Sequence, residues 1–430
     1  MDQAWVIAVD MGYGHQRAAY PFRDIACERI ITANSDKIVT VEEKRLWGKL
    51  QAFYEGVSRF SRVPVIGPPL WRAYDRLQAI SPHYPFRDLS KPTLGSMRLH
   101  KLIRRGFAGS VAAYTRKRED LPLLTTFFAV ALAADQAGRK DVFCVVTDTD
   151  VNRVWVAEKP RESKIIYLAP MPMNRARLLE YGVPGENIFV TGFPLPEENV
   201  ATAASDLATR IATLDSSGGF RKKYKEVLKP ELGALLDTPP RPLTITYAVG
   251  GAGAQADVAR DILSSLAPHL REGRMRLNLI AGTRLEINQY FQTIIRELGL
   301  DGELGQSIQT LCCLTKAEYF EKFNVLLRTT DVLWTKPSEL CFYTALGLPV
   351  VMAPALGAHE ERNREWLVKM GAGHPQEDPR AAAEWLTDWC QNGLLAFNAF
   401  NGYFHGPRHG TENIKRLLFA PDRSKVEMAM

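Results

Sequence analysis

The chain has 430 residues, of which 46% are hydrophobic and 24% charged, and its formal net charge at pH 7 is +6. This length exceeds what one ordinary hydrophobic core holds, so the sequence predicts a globular protein of two domains. The modest positive charge suits an anionic small substrate or an anionic membrane surface. It argues against a nucleic-acid partner, which requires denser clusters of lysine and arginine.

Cysteine usage and hydropathy predict a cytoplasmic setting. None of the six cysteines belongs to a CxxC pair, which favours a reducing compartment. The chain enters an apolar strand pattern at Trp5, without the basic segment and cleavage site of a signal peptide. The longest apolar stretch, residues 121–134, is too short to span a bilayer and is expected to be core.

Short apolar segments alternate with longer helical patterns, which is typical of βαβ units and parallel sheets. A region rich in glycine and proline separates two sets of such segments. We predict strands at residues 5–10, 141–147, 164–168, 187–191, 243–249, 276–281, 332–335 and 349–353. We further predict a first domain over 1–198, a connecting region over 199–240, a second domain over 241–378 and a helical segment over 379–430.

The first predicted strand leads into Gly12-Tyr13-Gly14-His15. Two glycines at a strand-to-helix turn allow the backbone to approach a ligand closely. A dinucleotide-binding fingerprint would need a third glycine where Arg17 stands, so NAD is disfavoured. His15 is expected at the carboxyl edge of the sheet, where a neutral imidazole could take a proton from an acceptor hydroxyl. A histidine that only caps the helix is the alternative.

A second glycine-rich segment, the loop 250–253, follows the predicted strand 243–249. Backbone N–H groups at such a turn, together with the dipole of a following helix, suit a diphosphate. The segment is not a Walker loop because no Lys-Ser/Thr follows it, and an ordinary tight turn is the alternative. The candidate donor-binding residues of this region are Gly250, Gly251, Gly253, Thr283 and Arg284.

Two further polar segments follow the predicted strands 332–335 and 349–353. In the first, Pro337 suits the first turn of a helix, and the Glu339 carboxylate could accept hydrogen bonds from two ribose hydroxyls. The second opens another helix at residues 357–363, where charged groups that simply cap the helix are the alternative. The candidate donor-binding residues of these segments are Lys336, Ser338, Glu339, His359, Glu360 and Asn363.

Taken in order, these motifs resemble the GT-B glycosyltransferases that include monogalactosyldiacylglycerol synthase, processive diacylglycerol glucosyltransferases and the lipid II-forming N-acetylglucosaminyltransferase. The resemblance extends from Val6 to about Gly373. The motifs that carry it are Gly12-Tyr13-Gly14-His15 with Ala18-Ala19, Val145-Val146-Thr147-Asp148 with Trp155, Tyr181-Gly182-Val183, Thr191-Gly192-Phe193-Pro194, Gly250-Gly251-Ala252-Gly253, Gly347-Leu348-Pro349, and Glu360 with Asn363.

This resemblance implies an α/β protein of the GT-B class, with two Rossmann-like domains whose parallel sheets face each other across a cleft. It implies an inverting hexosyltransferase that uses a nucleotide-sugar, UDP-linked in this family, and a hydroxyl acceptor that is lipid-linked in these relatives. It makes His15 the candidate base or an acceptor-site residue and places Gly12, Gly14 and Asp148 in the acceptor-side loop. We expect neither a cofactor nor a metal, because backbone amides can stabilise the departing diphosphate.

The sequence departs from the family at two positions of the donor pocket. Phe342 stands where the family has its ribose-binding glutamate, and Glu339, nearly one helical turn earlier, is the candidate substitute. His359 stands where the family usually has glutamine. Two alternatives therefore stay open: a catalytically inactive nucleotide-sugar-binding protein, and a UDP-sugar epimerase or hydrolase on the same fold.

Residues 43–114 mix aromatic and basic side chains. Apolar positions separated by basic residues could form an interfacial surface for lipid headgroups, which would make the protein peripheral to the inner membrane face. A solvated helix face with a core-facing aromatic stripe is the alternative. The residues concerned are Lys44, Arg45, Trp47, Lys49, Phe53, Tyr54, Arg59, Phe60, Arg62, Trp71, Arg72, Tyr74 and Arg76.

Overall fold

The computed structural model describes residues 2–49, 80–250, 253 and 255–429. These residues form two compact units. The first unit comprises Met1–Pro194, Leu356–Arg362 and His409–Met430, and the second comprises Leu195–Ala355 and Asn363–Arg408. Each unit contains a six-stranded sheet whose neighbouring strands are all parallel. The predicted α/β class with two Rossmann-like parallel sheets is confirmed; that the sheets face each other stays a prediction.

The sheet of the first unit has the strand order β2-β1-β3-β4-β5-β6. Its strands are β1 (Ala4–Ala8), β2 (Ala26–Thr32), β3 (Leu123–Thr125), β4 (Val142–Val145), β5 (Ile165–Ala169) and β6 (Ile188–Val190). The chain passes from β1 to β2 on one side and then crosses to β3 on the other. The direction in which strands are added therefore reverses between β1 and β3, which makes this position a topological switch point. Open α/β sheets bind ligands at such a point, beyond the carboxyl ends of the strands.

The core of the first unit lies on both faces of its sheet. Trp5 and Ile7 of β1 pack into one buried cluster, whereas Val6 packs into another on the opposite face. Burial on both faces explains why these strands are continuous apolar runs rather than alternating patterns. Helix Gly410–Phe419 contributes Ile414 to the second cluster, so the end of the chain belongs to the core of the first unit.

The helices of the first unit cover these two faces. They span residues 41–49, Gly14–Ala19, Leu94–Arg104, Gly109–Tyr114, Phe128–Gln136, Pro172–Glu180 and Gly410–Phe419. Single 3₁₀ turns occupy Tyr20–Phe22, Thr115–Arg118, Arg153–Trp155, Gly185–Asn187 and Arg423–Lys425. The apolar stretch 121–134 forms β3 and most of helix Phe128–Gln136 and is core, as predicted. Within the described residues, every helix falls short of the length and apolarity that a bilayer span requires.

The sheet of the second unit has the strand order β12-β11-β10-β7-β8-β9. Its strands are β7 (Leu243–Ala248), β8 (Met275–Gly282), β9 (Ile308–Cys312), β10 (Val332–Thr335), β11 (Val350–Met352) and β12 (Gly373–Pro375). From β7 the chain builds outward through β8 and β9, and then returns to the other side of β7 to add β10, β11 and β12. This is the order of dinucleotide-binding domains, and its switch point lies between β7 and β10.

The second unit contains most of the remaining helices. They are Glu197–Val200, Ala203–Leu214, Gly219–Lys223, Lys225–Leu232, Val258–Arg271, Leu285–Glu297, Lys316–Leu327, Ala382–Gln391 and Leu394–His405, with 3₁₀ segments at Gly233–Asp237, Asp301–Glu303, Glu339–Leu346 and Pro379–Ala381. In helix Ala358–Met370, residues 358–362 belong to the first unit and residues 363–370 to the second.

Two segments that we predicted as separate regions, residues 199–240 and 379–430, are parts of these two units. Residues 199–240, predicted as a connection, are largely helical and belong to the second unit. The reason is the amphipathic pattern of helix Ala203–Leu214, which buries Leu207 and Ile211. Of the terminal segment 379–430, residues up to Arg408 belong to the second unit and residues from His409 to the first.

Candidate functional site

The first candidate site lies beyond the carboxyl ends of β1 and β3, at the switch point of the first sheet. Gly12 has a φ of +97°, a left-handed conformation that favours glycine, and the chain then enters helix Gly14–Ala19. His15 is half-buried and lies 2.7 Å, measured from Nδ1, from the carbonyl oxygen of Thr126. The Thr126 hydroxyl in turn donates to the His15 carbonyl at 2.8 Å. These two hydrogen bonds join the loops that follow β1 and β3.

Asp148 follows β4, the next strand in the sheet, and is half-buried. Its carbonyl oxygen accepts a hydrogen bond of 3.0 Å from the side-chain amide of Asn174, which lies near the start of helix Pro172–Glu180. Because β1 and β4 both border β3, the loops that carry His15 and Asp148 lie at the same edge of the sheet, one strand apart.

The second carboxylate of Asp148-Thr149-Asp150 has a structural role. Asp150 forms two hydrogen bonds of 2.9 Å with the guanidinium of Arg177, and both side chains are buried. Arg177 also donates to Glu180 at 2.7 Å and to the Ser81 carbonyl at 2.7 Å. Asp150 therefore neutralises a buried cation, which accounts for its position.

We expect Asp150→Asn to lower the free energy of unfolding by about 3 kcal/mol, because it leaves the buried Arg177 charge partly uncompensated. Urea denaturation measures this change. The matched control is Glu158→Gln, which breaks the exposed ion pair with Arg104 and should cost less than about 1 kcal/mol. Equal effects of the two substitutions would contradict the structural role of Asp150.

The second candidate site lies at the switch point of the second sheet, beyond β7 and β10. Thr335 at the end of β10 pairs with Ala248 at the end of β7, and its hydroxyl donates to the Ala248 carbonyl at 3.0 Å. The next residues of the two strands are therefore neighbours. A Cβ atom added to Gly250 would lie 2.8 Å from Cε of Lys336, so the lysine side chain lies across this glycine.

A second cation, Arg284, lies near Gly253. Gly253 has a φ of +73°, and its N–H donates to the Gly250 carbonyl at 2.8 Å. A Cβ atom at Gly253 would lie 3.2 Å from Cδ1 of Ile287 and 3.8 Å from Cδ of Arg284. Arg284 follows the half-buried Thr283 at the end of β8 and forms an exposed ion pair with Glu286. Gly251 lies outside the described residues.

The helix that follows this loop begins later than the glycine pattern suggests. It begins at Val258, after a turn in which Gln255 has a φ of +68°. Two contacts hold this turn: the Tyr247 hydroxyl donates to the Gln255 carbonyl at 2.6 Å, and the Gln255 amide donates to the Pro354 carbonyl at 2.8 Å. Burial raises the pKa of Tyr247, so the phenol stays a neutral donor.

Lys336 is held by a tight turn rather than by the first turn of an α-helix. The Ser338 N–H donates to the Lys336 carbonyl at 2.8 Å, and a 3₁₀ helix, Glu339–Leu346, follows. The buried side-chain amide of Asn363 donates to the Pro337 carbonyl at 3.1 Å. Asn363 thus supports the turn that presents Lys336, and Ser338 and Glu339 are half-buried beside it.

Phe342 is part of the hydrophobic core. Its ring is 2% exposed and packs against Trp366, with ring centroids 5.4 Å apart. The 3₁₀ helix ends at Gly347, whose φ is +73° and whose added Cβ would lie 2.8 Å from Cδ1 of Leu207. Phe342 therefore contributes packing to the core of the second unit.

His359 and Glu360 are part of the first unit. The Glu360 carboxylate is 2% exposed and accepts a hydrogen bond of 2.8 Å from the Leu356 N–H, which stabilises the start of helix Ala358–Met370. The half-buried His359 ring lies against the turn at Gly357, where an added Cβ would be 3.3 Å from Cε1 of the ring. Glu360 therefore stabilises the start of its own helix, as the capping alternative expects.

The sequence analysis did not identify three residues that organise these sites: Thr126, Asn174 and Gln255. Thr126 stands in an apolar run. A polar residue in such a run, shortly before a helix, is the pattern that could have identified it. Asn174 and Gln255 act through hydrogen bonds to backbone atoms distant in the chain, and such contacts leave no local pattern.

A family model described as a domain of unknown function (DUF6938) matches residues 296–387, which include Lys336, Ser338, Glu339 and Asn363. No curated protein matches the chain.

Three solved structures illustrate what the chain is similar to. The S. aureus MnaA-UDP co-structure has 14% identity and a TM-score of 0.45, with 83% of this chain and 86% of the other covered. UDP-GlcNAc 2-epimerase from Neisseria meningitidis, bound to UDP-GlcNAc, has 14% identity and a TM-score of 0.44, with 82% and 89% covered. A glycosyltransferase from Rickettsia africae has 13% identity and a TM-score of 0.39, with 77% and 84% covered.

Proposed function

We propose that this protein is an inverting glycosyltransferase that transfers a sugar from a UDP-activated donor to a hydroxyl acceptor. The observation that carries the proposal is a pair of cations at the switch point of the second sheet, with Lys336 beside Gly250 and Arg284 near Gly253. Two cations beside one glycine-containing turn suit the negative charge of a diphosphate. The choice of UDP follows from the sequence resemblance.

The same arrangement would assist the departure of the nucleotide. Cleavage of the bond between sugar and diphosphate increases the negative charge on the phosphate oxygens. In this proposal Lys336 and Arg284 stabilise that charge, a task that needs no metal. The supporting turn held by Asn363 and the turn held by Gln255 would keep these groups in place before the reaction.

In GT-B enzymes one domain binds the donor and the other holds the acceptor, and we propose the same division here. The His15 imidazole takes the proton of the acceptor hydroxyl. The acceptor oxygen forms a bond to the anomeric carbon from the side opposite the diphosphate, the bond between that carbon and the diphosphate oxygen breaks, and UDP leaves with the electron pair. The configuration at the anomeric carbon is therefore inverted, and the imidazolium later releases its proton to solvent.

UDP binding tests the donor assignment directly. UDP and UDP-sugars should raise Tm, because a ligand that binds only the folded state stabilises it by about 2.7 kcal/mol at one hundred times its Kd. Uridine, which lacks phosphates, should have little effect. Lys336→Met should reduce the shift caused by UDP, since it removes one of the two cations. Absence of a shift with UDP and with every UDP-sugar would rule out the donor assignment.

Product analysis then separates the transferase from its alternatives. Release of UDP that depends on an added hydroxyl acceptor, with the sugar attached to that acceptor, supports transfer. An epimerised sugar, or free sugar formed without an acceptor, would instead identify an epimerase or a hydrolase. Binding without any turnover would identify an inactive nucleotide-sugar-binding protein.

We also propose that the acceptor is reached at an anionic membrane surface on the cytoplasmic side. The described part of the segment 43–114 offers Tyr84 and Phe86, which are 70% and 67% exposed and whose rings are 5.0 Å apart. Exposed aromatic rings beside basic residues are typical of interfacial surfaces. The basic residues nearby in the chain are Arg87, Lys91, Arg98 and Lys101.

One aromatic residue of that prediction belongs to the core. Trp47 is 3% exposed and packs against Phe107, which fits the core interpretation for this residue. The remaining aromatic and several basic positions of the prediction lie outside the described residues. They are Phe53, Tyr54, Arg59, Phe60, Arg62, Trp71, Arg72, Tyr74 and Arg76.

The double substitution Tyr84→Ser/Phe86→Ser should reduce the fraction of protein that sediments with phosphatidylglycerol vesicles, because it removes the exposed apolar anchors. Phosphatidylcholine vesicles serve as the uncharged comparison. Phe404→Ser is the matched control, since Phe404 is 52% exposed but belongs to the second unit. Vesicle binding that survives the double substitution unchanged would contradict the assignment of this surface.

A further inference from the structure

The two hydrogen bonds between His15 and Thr126 have a chemical consequence for the imidazole ring. A carbonyl oxygen can only accept a hydrogen bond, and Nδ1 lies 2.7 Å from the Thr126 carbonyl oxygen. In the neutral ring Nδ1 must therefore carry the proton, which leaves the lone pair on Nε2. The bond that one ring nitrogen makes thus decides which nitrogen can act as a base.

The position of the Thr126 carbonyl is itself fixed by the sheet. The Thr126 N–H donates to the Ile7 carbonyl of β1 at 3.1 Å, so this residue continues the ladder between β1 and β3. Thr126 is 1% exposed, and its β-branched side chain has few accessible rotamers. Its hydroxyl donates to the His15 carbonyl at 2.8 Å and so holds the histidine backbone at the correct distance.

A ring contact restricts the imidazole from another side. Phe127 lies 5.0 Å from His15 between ring centroids, at an interplanar angle of 81°. This edge-to-face arrangement is a favoured geometry for aromatic pairs and opposes rotation of the imidazole out of its hydrogen bond. The Phe127 N–H in turn donates to the Thr125 hydroxyl at 3.2 Å, which fixes the backbone after β3.

We propose that Thr126 is a positioning residue that holds His15 as the Nδ1–H tautomer, so that Nε2 is the atom that removes the acceptor proton. This inference rests on the proposed function for the role of His15, but the tautomer itself does not depend on turnover. When Nε2 takes the hydroxyl proton, the ring becomes an imidazolium. The bond from Nδ1–H to the Thr126 carbonyl then becomes charge-assisted and stabilises the product of the proton transfer.

The tautomer can be measured in the full-length protein labelled with ¹⁵N-histidine. Long-range ¹H–¹⁵N correlations distinguish a protonated Nδ1 from a protonated Nε2, and His15→Gln identifies the His15 signals among the eight histidines. We expect the Nδ1–H pattern for His15 near neutral pH. Protonation at Nε2 in the neutral ring would overturn the proposal, whatever the activity of the protein.

Thr126→Val tests the role of the hydroxyl, because valine keeps the branched shape but cannot donate to the His15 carbonyl. Valine keeps the backbone carbonyl that accepts from Nδ1, so we expect the Nδ1–H tautomer to stay the main form. Because the His15 backbone loses its contact with the hydroxyl, we expect a minor Nε2–H form to become detectable and kcat to fall about fivefold to tenfold with an unchanged KM for the donor, and Thr126→Ser to restore both. Thr244→Val is the control, since Thr244 is a buried threonine at the amino end of β7. A Thr126→Val protein with a wild-type tautomer population and a wild-type kcat would overturn the positioning role of the Thr126 side chain.

The two readouts separate this inference from the function on which it rests. A detectable Nε2–H form in Thr126→Val supports the positioning role even if no sugar acceptor is found, since it is observed without substrate. Absence of sugar transfer under all conditions would count against the proposed function alone.

Discussion

Replacing Gly250 by alanine should weaken UDP binding about 10- to 100-fold while the protein stays folded. The added methyl group would lie 2.8 Å from Cε of Lys336, so the lysine side chain must move away from the loop. The atom in conflict is near the end of a flexible side chain, and the φ of Gly250 is not in the left-handed region. The fold can therefore accept alanine. The proposed diphosphate site cannot, because the methyl group and the displaced lysine side chain change the space that the diphosphate would occupy.

Isothermal titration with UDP measures the predicted loss, and thermal unfolding without ligand checks the fold. Gly302→Ala is the matched control, because Gly302 also lacks a left-handed φ, has no atom within 4 Å of its added Cβ and lies in the second unit. Its affinity for UDP should equal that of the wild type. A wild-type affinity in the Gly250→Ala protein would show that the loop does not hold the phosphates.

Most of the sheet framework could be predicted from the sequence. All eight predicted strands are present, because strands buried on both faces appear as short apolar runs. Four strands were missed: β2, β3, β9 and β12. Three of these, β2, β9 and β12, are edge strands, and β2 contains the charged residues Glu28 and Arg29 while β12 ends in Pro375. Partial exposure at an edge permits such residues and removes the apolar signal.

The central strand β3 was missed for a different reason. It has three residues, Leu123–Thr125, and is followed after two residues by the buried helix Phe128–Gln136. A strand and a helix that are both apolar on all sides give one continuous run, in which neither a period of two nor a period of 3.6 is visible. The partner of His15 is at the end of this strand, so the same ambiguity hid Thr126 from the sequence analysis.

The candidate sites were predicted in part because glycine and histidine at strand ends carry a local signal. That signal locates Gly12, His15 and Gly250 at the two switch points. It cannot show that Glu360 caps its own helix, that Asn363 holds the Pro337 carbonyl, or that Asp150 neutralises Arg177. Those assignments depend on which partner a polar group finds after folding, and the partner of Asp150 is 27 residues away.

Replacing His15 by alanine should lower kcat by about 10²- to 10⁴-fold, the usual contribution of a general base. The acceptor hydroxyl would then have to lose its proton to water. KM for the UDP-sugar should change little, because the groups proposed to hold the diphosphate are Lys336, Arg284 and the loop 250–253. The acid limb of the pH–rate profile, which reports protonation of the base, should disappear from the residual activity.

The matched control for this substitution is His405→Ala, since His405 is exposed at the end of helix Leu394–His405 in the second unit. Its kcat and pH–rate profile should equal those of the wild type. Titration with UDP distinguishes donor binding from removal of the acceptor proton, because His15→Ala should bind UDP normally whereas Gly250→Ala should not. Full turnover by the His15→Ala protein would exclude the imidazole as the base, and a parallel loss of UDP affinity would show that His15 supports donor binding instead.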